Sequence, residues 1–178
     1  FGSEAHRIQS GFSVMKSVGL LDADRKLMLE TFQKAIVLAE QETPESLLNY
    51  QMLFDNVSIE ASKFPPKIFS AMLLPALRGV PAKYASYEAR RRTALTAIAI
   101  ERYRLAHGGE LPRSLDALIP QYLTSVPKDP FDGKSLRFAK LDDGYVVYSV
   151  GKDREDNNGK EHTRGSLEHT DITFTVQR

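Results

Sequence analysis

Apolar and polar positions divide the chain near residues 108–112. Helical spacing dominates before that point, and turns with short alternating runs follow it. Leu27, Met28, Phe32, Ala35, Ile36 and Ala39 recur at helical intervals with Arg25, Lys26, Glu30 and Lys34 between them. A first helix is therefore predicted to begin near Asp22 or Asp24. Thr43-Pro44-Glu45-Ser46 marks a second start. Thr43 can cap, Pro44 gives up no partnered N–H in the first turn, and Glu45 suits the positive end of the helix dipole. This helix carries Leu47, Leu48, Met52, Phe54 and Ile59 to about Ser62, and Phe64-Pro65-Pro66 should break it. A short apolar helix is expected from Lys67 to about Leu77, interrupted by Pro75 and closed by Gly79 and Pro81. The longest helix should run from about Ala82 to His107. Tyr84, Tyr87, Leu95, Ile98 and Leu105 trace one side of it, widened by Ile100 and Tyr103, and this stripe is assigned to the core. Gly108-Gly109 ends it, with His107 against the last carbonyls.

Beyond Pro112 the pattern changes. Ser114 to Ile119 reads as one or two helical turns stopped by Pro120. Val126-Pro127-Lys128-Asp129-Pro130-Phe131-Asp132-Gly133 is dense in turn formers and reads as a fixed loop without a ladder of its own. Leu136–Lys140 and Tyr145–Val150 read as strands joined by an Asp142-Asp143-Gly144 turn. Residues 151–170 are polar and turn-rich. Ile172-Thr173-Phe174-Thr175-Val176 alternates as a last strand. The expected class is α+β: a helical N-terminal region over residues 1–69, then residues 70–178 as a long helix packed on a small three-stranded antiparallel sheet.

Composition narrows the function classes. The chain has 178 residues, 42% hydrophobic and 26% charged, which are globular values. Its formal net charge of +1 argues against a protein devoted to gripping nucleic acid or an anionic membrane. With no cysteine there is no disulfide scaffold, zinc–thiolate site or thiol nucleophile. No run approaches the ~18 apolar residues that span a bilayer. The chain opens on Phe1, so an export signal or anchor is expected upstream of it.

Four stretches resemble a known family. They are Ala71-Met72-Leu73-Leu74-Pro75-Ala76-Leu77; Ala97 to Gly109 followed by Leu111-Pro112; Ser114-Leu115-Asp116-Ala117-Leu118 with Val126-Pro127-Lys128-Asp129-Pro130-Phe131; and Tyr145-Val146-Val147-Tyr148-Ser149-Val150-Gly151-Lys152-Asp153. In this order they resemble the pseudopilins of bacterial type II secretion, above all general secretion pathway protein G, over residues 70–178. The family's Phe-Thr-Leu-Ile-Glu start is not matched: Phe1-Gly2-Ser3-Glu4 leads into amphipathic sequence, and the Leu-Pro-Ala-Leu segment follows some 70 residues of extra helix. The resemblance implies a non-enzymatic structural or interaction domain. It would be periplasmic or at the cell surface, anchored to the inner membrane by a segment not present here, with other subunits of an envelope assembly as partners. No small-molecule substrate is expected.

The loop Asp153-Arg154-Glu155-Asp156-Asn157-Asn158-Gly159 is rich in the hard oxygen donors that calcium takes. The resemblance places Ca²⁺ in this loop, with Asp153 and Asp171 as ligands and Asp156 as a third. The same composition also suits a plain solvated turn, with Lys152, Arg154, Lys160 and Arg164 neutralising the acids. His6, His107, His162 and His169 show no zinc spacing. Glu101, beside Arg102 and Arg104, reads as exposed or ion-paired, and Asp129 as a brace for its loop. Neither has an evident catalytic partner, and no nucleophile elbow, P-loop or dinucleotide fingerprint occurs. Arg90-Arg91-Arg92 reads as part of a solvated helix face. Two other readings remain: an extracellular peptide- or glycan-binding module whose N-terminal helices form a groove, and a hydrolase joining carboxylates or histidines from both halves.

Overall fold

The computed structural model describes residues 13, 19–41, 43–63, 67–160 and 171–178. They form two compact units that divide between Pro81 and Ala82. No helix among the described residues is long and apolar enough to cross a membrane.

The first unit holds α1 (Leu20–Glu40), α2 (Pro44–Ala61), α3 (Ile68–Leu73) and a 3-10 turn over Leu74–Leu77. Gly19, at φ 70, precedes α1, which starts two residues before Asp22. Thr43 caps α2 as expected. Ser46 returns the contact: its N–H donates to Thr43 Oγ1 at 3.1 Å, and the Thr43 N–H donates to Ser46 Oγ at 3.2 Å. The expected break at Phe64-Pro65-Pro66 lies outside the described residues. Phe54, Tyr50, Val57, Ala35 and Leu74 make the core, with Tyr50 stacked on Phe54 at 4.7 Å. Leu74-Pro75-Ala76-Leu77, taken at the sequence level as the beginning of the second region, thus belongs to the first unit. Phe32, Ile36, Leu48, Met52 and Ile59 are exposed instead of buried. Each helix of so small a unit buries only a narrow stripe. Asp24 is 3% exposed and accepts from the N–H groups of Phe69 (2.7 Å) and Ser70 (2.9 Å) and from the Ser70 hydroxyl, which fastens α1 to the start of α3.

The second unit is α+β. The long helix α4 (Val80–Ala106) packs on a sheet of β1 (Arg137–Leu141), β2 (Gly144–Ser149) and β3 (Ile172–Gln177), with a 3-10 turn at Leu115–Leu118. All pairings are antiparallel in the order β1-β2-β3, with Val147 between Phe138 and Phe174. Gly108 and Gly109, both at positive φ, end α4. Gly144, at φ 147, is required by the close approach of β3: a Cβ there would lie 1.9 Å from the Val176 carbonyl oxygen. The Val126–Gly133 loop pairs with the residues just before β1: Lys128 bridges to Ser135, and the Leu136 N–H donates to the Pro127 carbonyl at 2.9 Å.

Ala97, Ala99 and Ile100 of α4 pack with Leu115, Leu118, Leu136, Tyr145 and Val147. This corrects the sequence reading. Of the stripe assigned to the core, Ile100 and Tyr103 do pack there, but Tyr84, Tyr87, Leu95, Ile98 and Leu105 face out, between 46% and 73% exposed. Ala85, Ala89, Thr93, Thr96 and Ala97 are the buried set. Small side chains at the buried positions let the helix axis approach its neighbours closely, so the large apolar residues are left on the far side. The other face of β2, carrying Val146 and Tyr148, lies under the 151–160 turn, where Gly159 sits close to both side chains.

Candidate functional site

Two carboxylates organise the loops at this end of the sheet. Asp129 is fully buried. Its Oδ1 accepts from the Phe131 N–H (2.9 Å) and the Ser149 hydroxyl (2.8 Å), and its Oδ2 accepts from the Val150 N–H (2.9 Å) and Arg137 Nη1 (3.0 Å). The Pro-rich loop closes around it because the Asp129 N–H donates to the Lys134 carbonyl (2.7 Å) and the Gly133 N–H donates to the Asp129 carbonyl (2.9 Å). Asp129 therefore braces its own loop, as expected, and also fastens that loop to the end of β2.

Arg137, the first residue of β1, was not foreseen. Its guanidinium spans three acids: Asp129 Oδ2 at 3.0 Å, Asp132 Oδ2 at 2.5 Å and Asp156 Oδ2 at 3.4 Å. Burial alone would raise the Asp132 carboxyl, but the Arg137 hydrogen bond and the Lys134 N–H outweigh it and hold the group below its ordinary value. Arg92 adds a strut from α4, donating to the Lys128 carbonyl at 2.8 Å and pairing with Glu88.

Asp171 stands just before β3, 4% exposed, and accepts from the N–H groups of Gly159 (2.7 Å) and Asn157 (3.3 Å). Asp156 Oδ1 accepts from the Asn158 N–H at 2.9 Å, and Asp153 Oδ1 from the Glu155 N–H at 3.2 Å. Arg154, Asn158 and Gly159 take positive φ to turn the loop. Burial pushes the Asp171 carboxyl above its ordinary value. The two N–H bonds pull it down, while the charges of Asp156 and Asp153 push it further up. Tyr148 beneath the loop is pushed up to about 12 by burial, then by the charge and hydrogen bond of Asp156.

Asp153 and Asp171 are the residues that the resemblance assigned to calcium, with Asp156 as a candidate third ligand. The charges of Asp156 and Asp153 both reach Asp171, which suits a cation in charge. In donors the fit is incomplete. Among the described residues no group of three or more acidic or histidine side chains is placed to hold a metal ion. Asp156 is partly neutralised by Arg137. The link from the loop to the last strand is made directly by the Asp171 carboxylate.

Glu101 is ion-paired, as one of its two readings had it: it accepts from Arg104 Nε (3.1 Å), the Tyr145 hydroxyl (3.0 Å) and Arg178 Nη2. Burial raises its carboxyl, and these three donors together bring it below its ordinary value. His107 Nδ1 lies 2.8 Å from the Tyr103 carbonyl, and its ring stacks on Tyr103. His6, His162 and His169 lie outside the described residues. A cleft of about 250 Å³ in this unit is bordered by Arg113, Ser114, Asp116 and Ser135, with one carboxylate and no histidine.

Comparison with known proteins gave no match to a protein-family model, a curated protein or a solved structure.

Proposed function

We propose that this chain is a non-enzymatic, extracytoplasmic, pseudopilin-like structural and interaction domain of a bacterial envelope assembly. The observation that carries the reading is the way the loops beside the sheet are fastened. Asp129, Arg137 and Asp171 join the two long loops to the sheet through saturated hydrogen bonds and ion pairs, which suits rigidity. The two acids singled out from the sequence for proton transfer, Glu101 and Asp129, are already committed to arginines and N–H groups. A general acid or base needs a free position within reach of substrate. The order of segments along residues 70–178 supplies the pseudopilin part of the proposal.

Calcium belongs to this reading as an added clip. Asp153, Asp156 and Asp171 would supply its charge complement, and the cation would offset the burial and the neighbouring acid charges that raise the Asp171 carboxyl.

The test is the address of the intact protein. Expressed with an epitope tag in its host, it should fractionate with the cell envelope and be digested by protease added to spheroplasts. Recovery from the cytosol, protected from protease, would overturn the reading.

One observation favours a second reading, a peptide- or glycan-binding module. A groove of about 590 Å³ between α1 and α2 is lined by Val37, Leu38, Met52 and Leu53, with Asn49 and Asn56 at its border. Saturable binding of a short apolar peptide, abolished by Met52→Glu, would move the assignment there.

A further inference from the structure

The outer face of α4 is the least expected surface of the molecule. A helix packed on a sheet ordinarily turns a polar side to water. Here Tyr84, Tyr87, Leu95, Ile98 and Leu105 point outward together, 50%, 62%, 46%, 56% and 73% exposed. With 3.6 residues per turn, these five and the exposed Arg91 and Arg102 fall within about 80° of arc, roughly opposite Ile100 in the core. The helix thus carries large apolar side chains on its outer side as well, in a seam punctuated by Arg91 and Arg102, and such a seam marks a contact surface.

The seam has a period. Tyr84 and Leu95, Tyr87 and Ile98, and Arg91 and Arg102 are each eleven residues apart. An 11-residue repeat corresponds to about 3.67 residues per turn, close to the natural pitch of a straight helix. A second helix can therefore follow the seam for its whole length without strong supercoiling.

Charge selects the occupant. The exposed charged residues of α4 are Lys83, Arg90, Arg91 and Arg102, all basic. Its two acids are drawn aside: Glu88 pairs with Arg91 and Arg92, and Glu101 with Arg104 and Arg178. Lys83, Arg90 and Arg102 have no ion pair among the described residues. Two copies laid seam to seam would bring these cations together without counter-charges, which disfavours self-pairing. The exposed Leu95, Ile98 and Leu105 suit a protein seam better than a phosphate backbone.

We propose that the outward seam of α4 docks an amphipathic helix of a partner protein whose apolar stripe is bordered by acidic side chains. Leu95 and Ile98 are the central anchors, and Arg90 and Arg102 set charge preference and orientation. This names the partner class for the interaction role proposed above. It rests on that role and not on the family resemblance, so a cytosolic address would leave it standing.

The experiment uses the full chain and two designed helical peptides with the same Leu/Ile stripe, one bordered by Glu and one by Lys, read by fluorescence anisotropy at low salt. The Glu peptide should bind at least about tenfold tighter than the Lys peptide, and more weakly as salt rises. Ile98→Asp should weaken it by a further factor of about ten while the circular dichroism spectrum stays unchanged. Arg90→Glu/Arg102→Glu should reverse the preference between the peptides, and this variant keeps the proposal open to refutation should Ile98→Asp misfold. Equal binding of the two peptides, or none, would overturn it. So would sedimentation as a dimer that Ile98→Asp dissociates, or capture by anionic vesicles that the same change abolishes.

Discussion

Asp129 and Asp171 do the same mechanical task in different electrostatic settings. Each is a buried carboxylate that gathers backbone N–H groups from a loop and ties that loop to a strand end. Asp129 has a cation against it, Arg137 at 3.0 Å. Asp171 has two acids nearby instead, and its carboxyl is raised by burial and by their charge. The first clasp is complete as folded. The second holds its geometry at an electrostatic cost, and that cost makes it the place where protons or a cation can act.

The largest expected effect comes from opening the complete clasp. Arg137→Ala strands Asp129 as an unpaired buried charge, a change that costs about 3–5 kcal/mol. Urea denaturation should show this loss, and Arg137→Lys should recover only part of it because a single ammonium cannot bridge three carboxylates. A loss below about 1 kcal/mol would mean that the two clasps are not different in kind. Asp171→Ala should cost less, about 1–3 kcal/mol, since it orphans two N–H groups but also removes a strained charge.

Calcium sharpens the contrast further. Millimolar Ca²⁺ should raise the melting temperature of the wild type, and Asp153→Ala should abolish the rise. Arg137→Ala, which frees Asp156, should keep the response. A flat wild-type melting curve removes the metal from the proposal.

The smallest effect is in the pH profile. Asp132 is held below its ordinary value near 3.8, so its contribution is present above that value and lost as pH falls through the lower folded value. Asp171 is raised, so its contribution has the opposite sign: it is present below 3.8 and lost as pH rises through the higher folded value. Acid titration should therefore be shallower in Asp132→Asn and steeper in Asp171→Asn than in the wild type. Parallel curves would deny the difference between the two settings.

What the sequence made legible was mostly local. Thr43-Pro44, Gly108-Gly109 and Asp142-Asp143-Gly144 mark their boundaries because caps and turns depend on neighbours within a few residues. The α+β class followed from the same signals, and the bracing by Asp129 from its place between prolines. Arg137 was not legible: its partners sit at positions 129, 132 and 156, and nothing at the strand start announces them. Periodicity placed Ile100 and Tyr103 of α4 rightly in the core but not the direction of Tyr84, Tyr87, Leu95, Ile98 and Leu105. When a helix is apolar on two sides, the spacing is satisfied by either, and the alanines that pack inward carry too little hydrophobicity to win the comparison.

That inversion has a consequence for how α4 would tolerate change. In a saturation-mutagenesis map scored by folding, the intolerant positions should be the modest ones, Ala97 and Ala99, where each added carbon must be wedged against the sheet. The showy ones, Leu95 and Ile98, should accept almost any replacement. Scored instead by survival in the cell, the same map would light up at Leu95 and Ile98, and the gap between the two maps would trace the outline of whatever the helix meets.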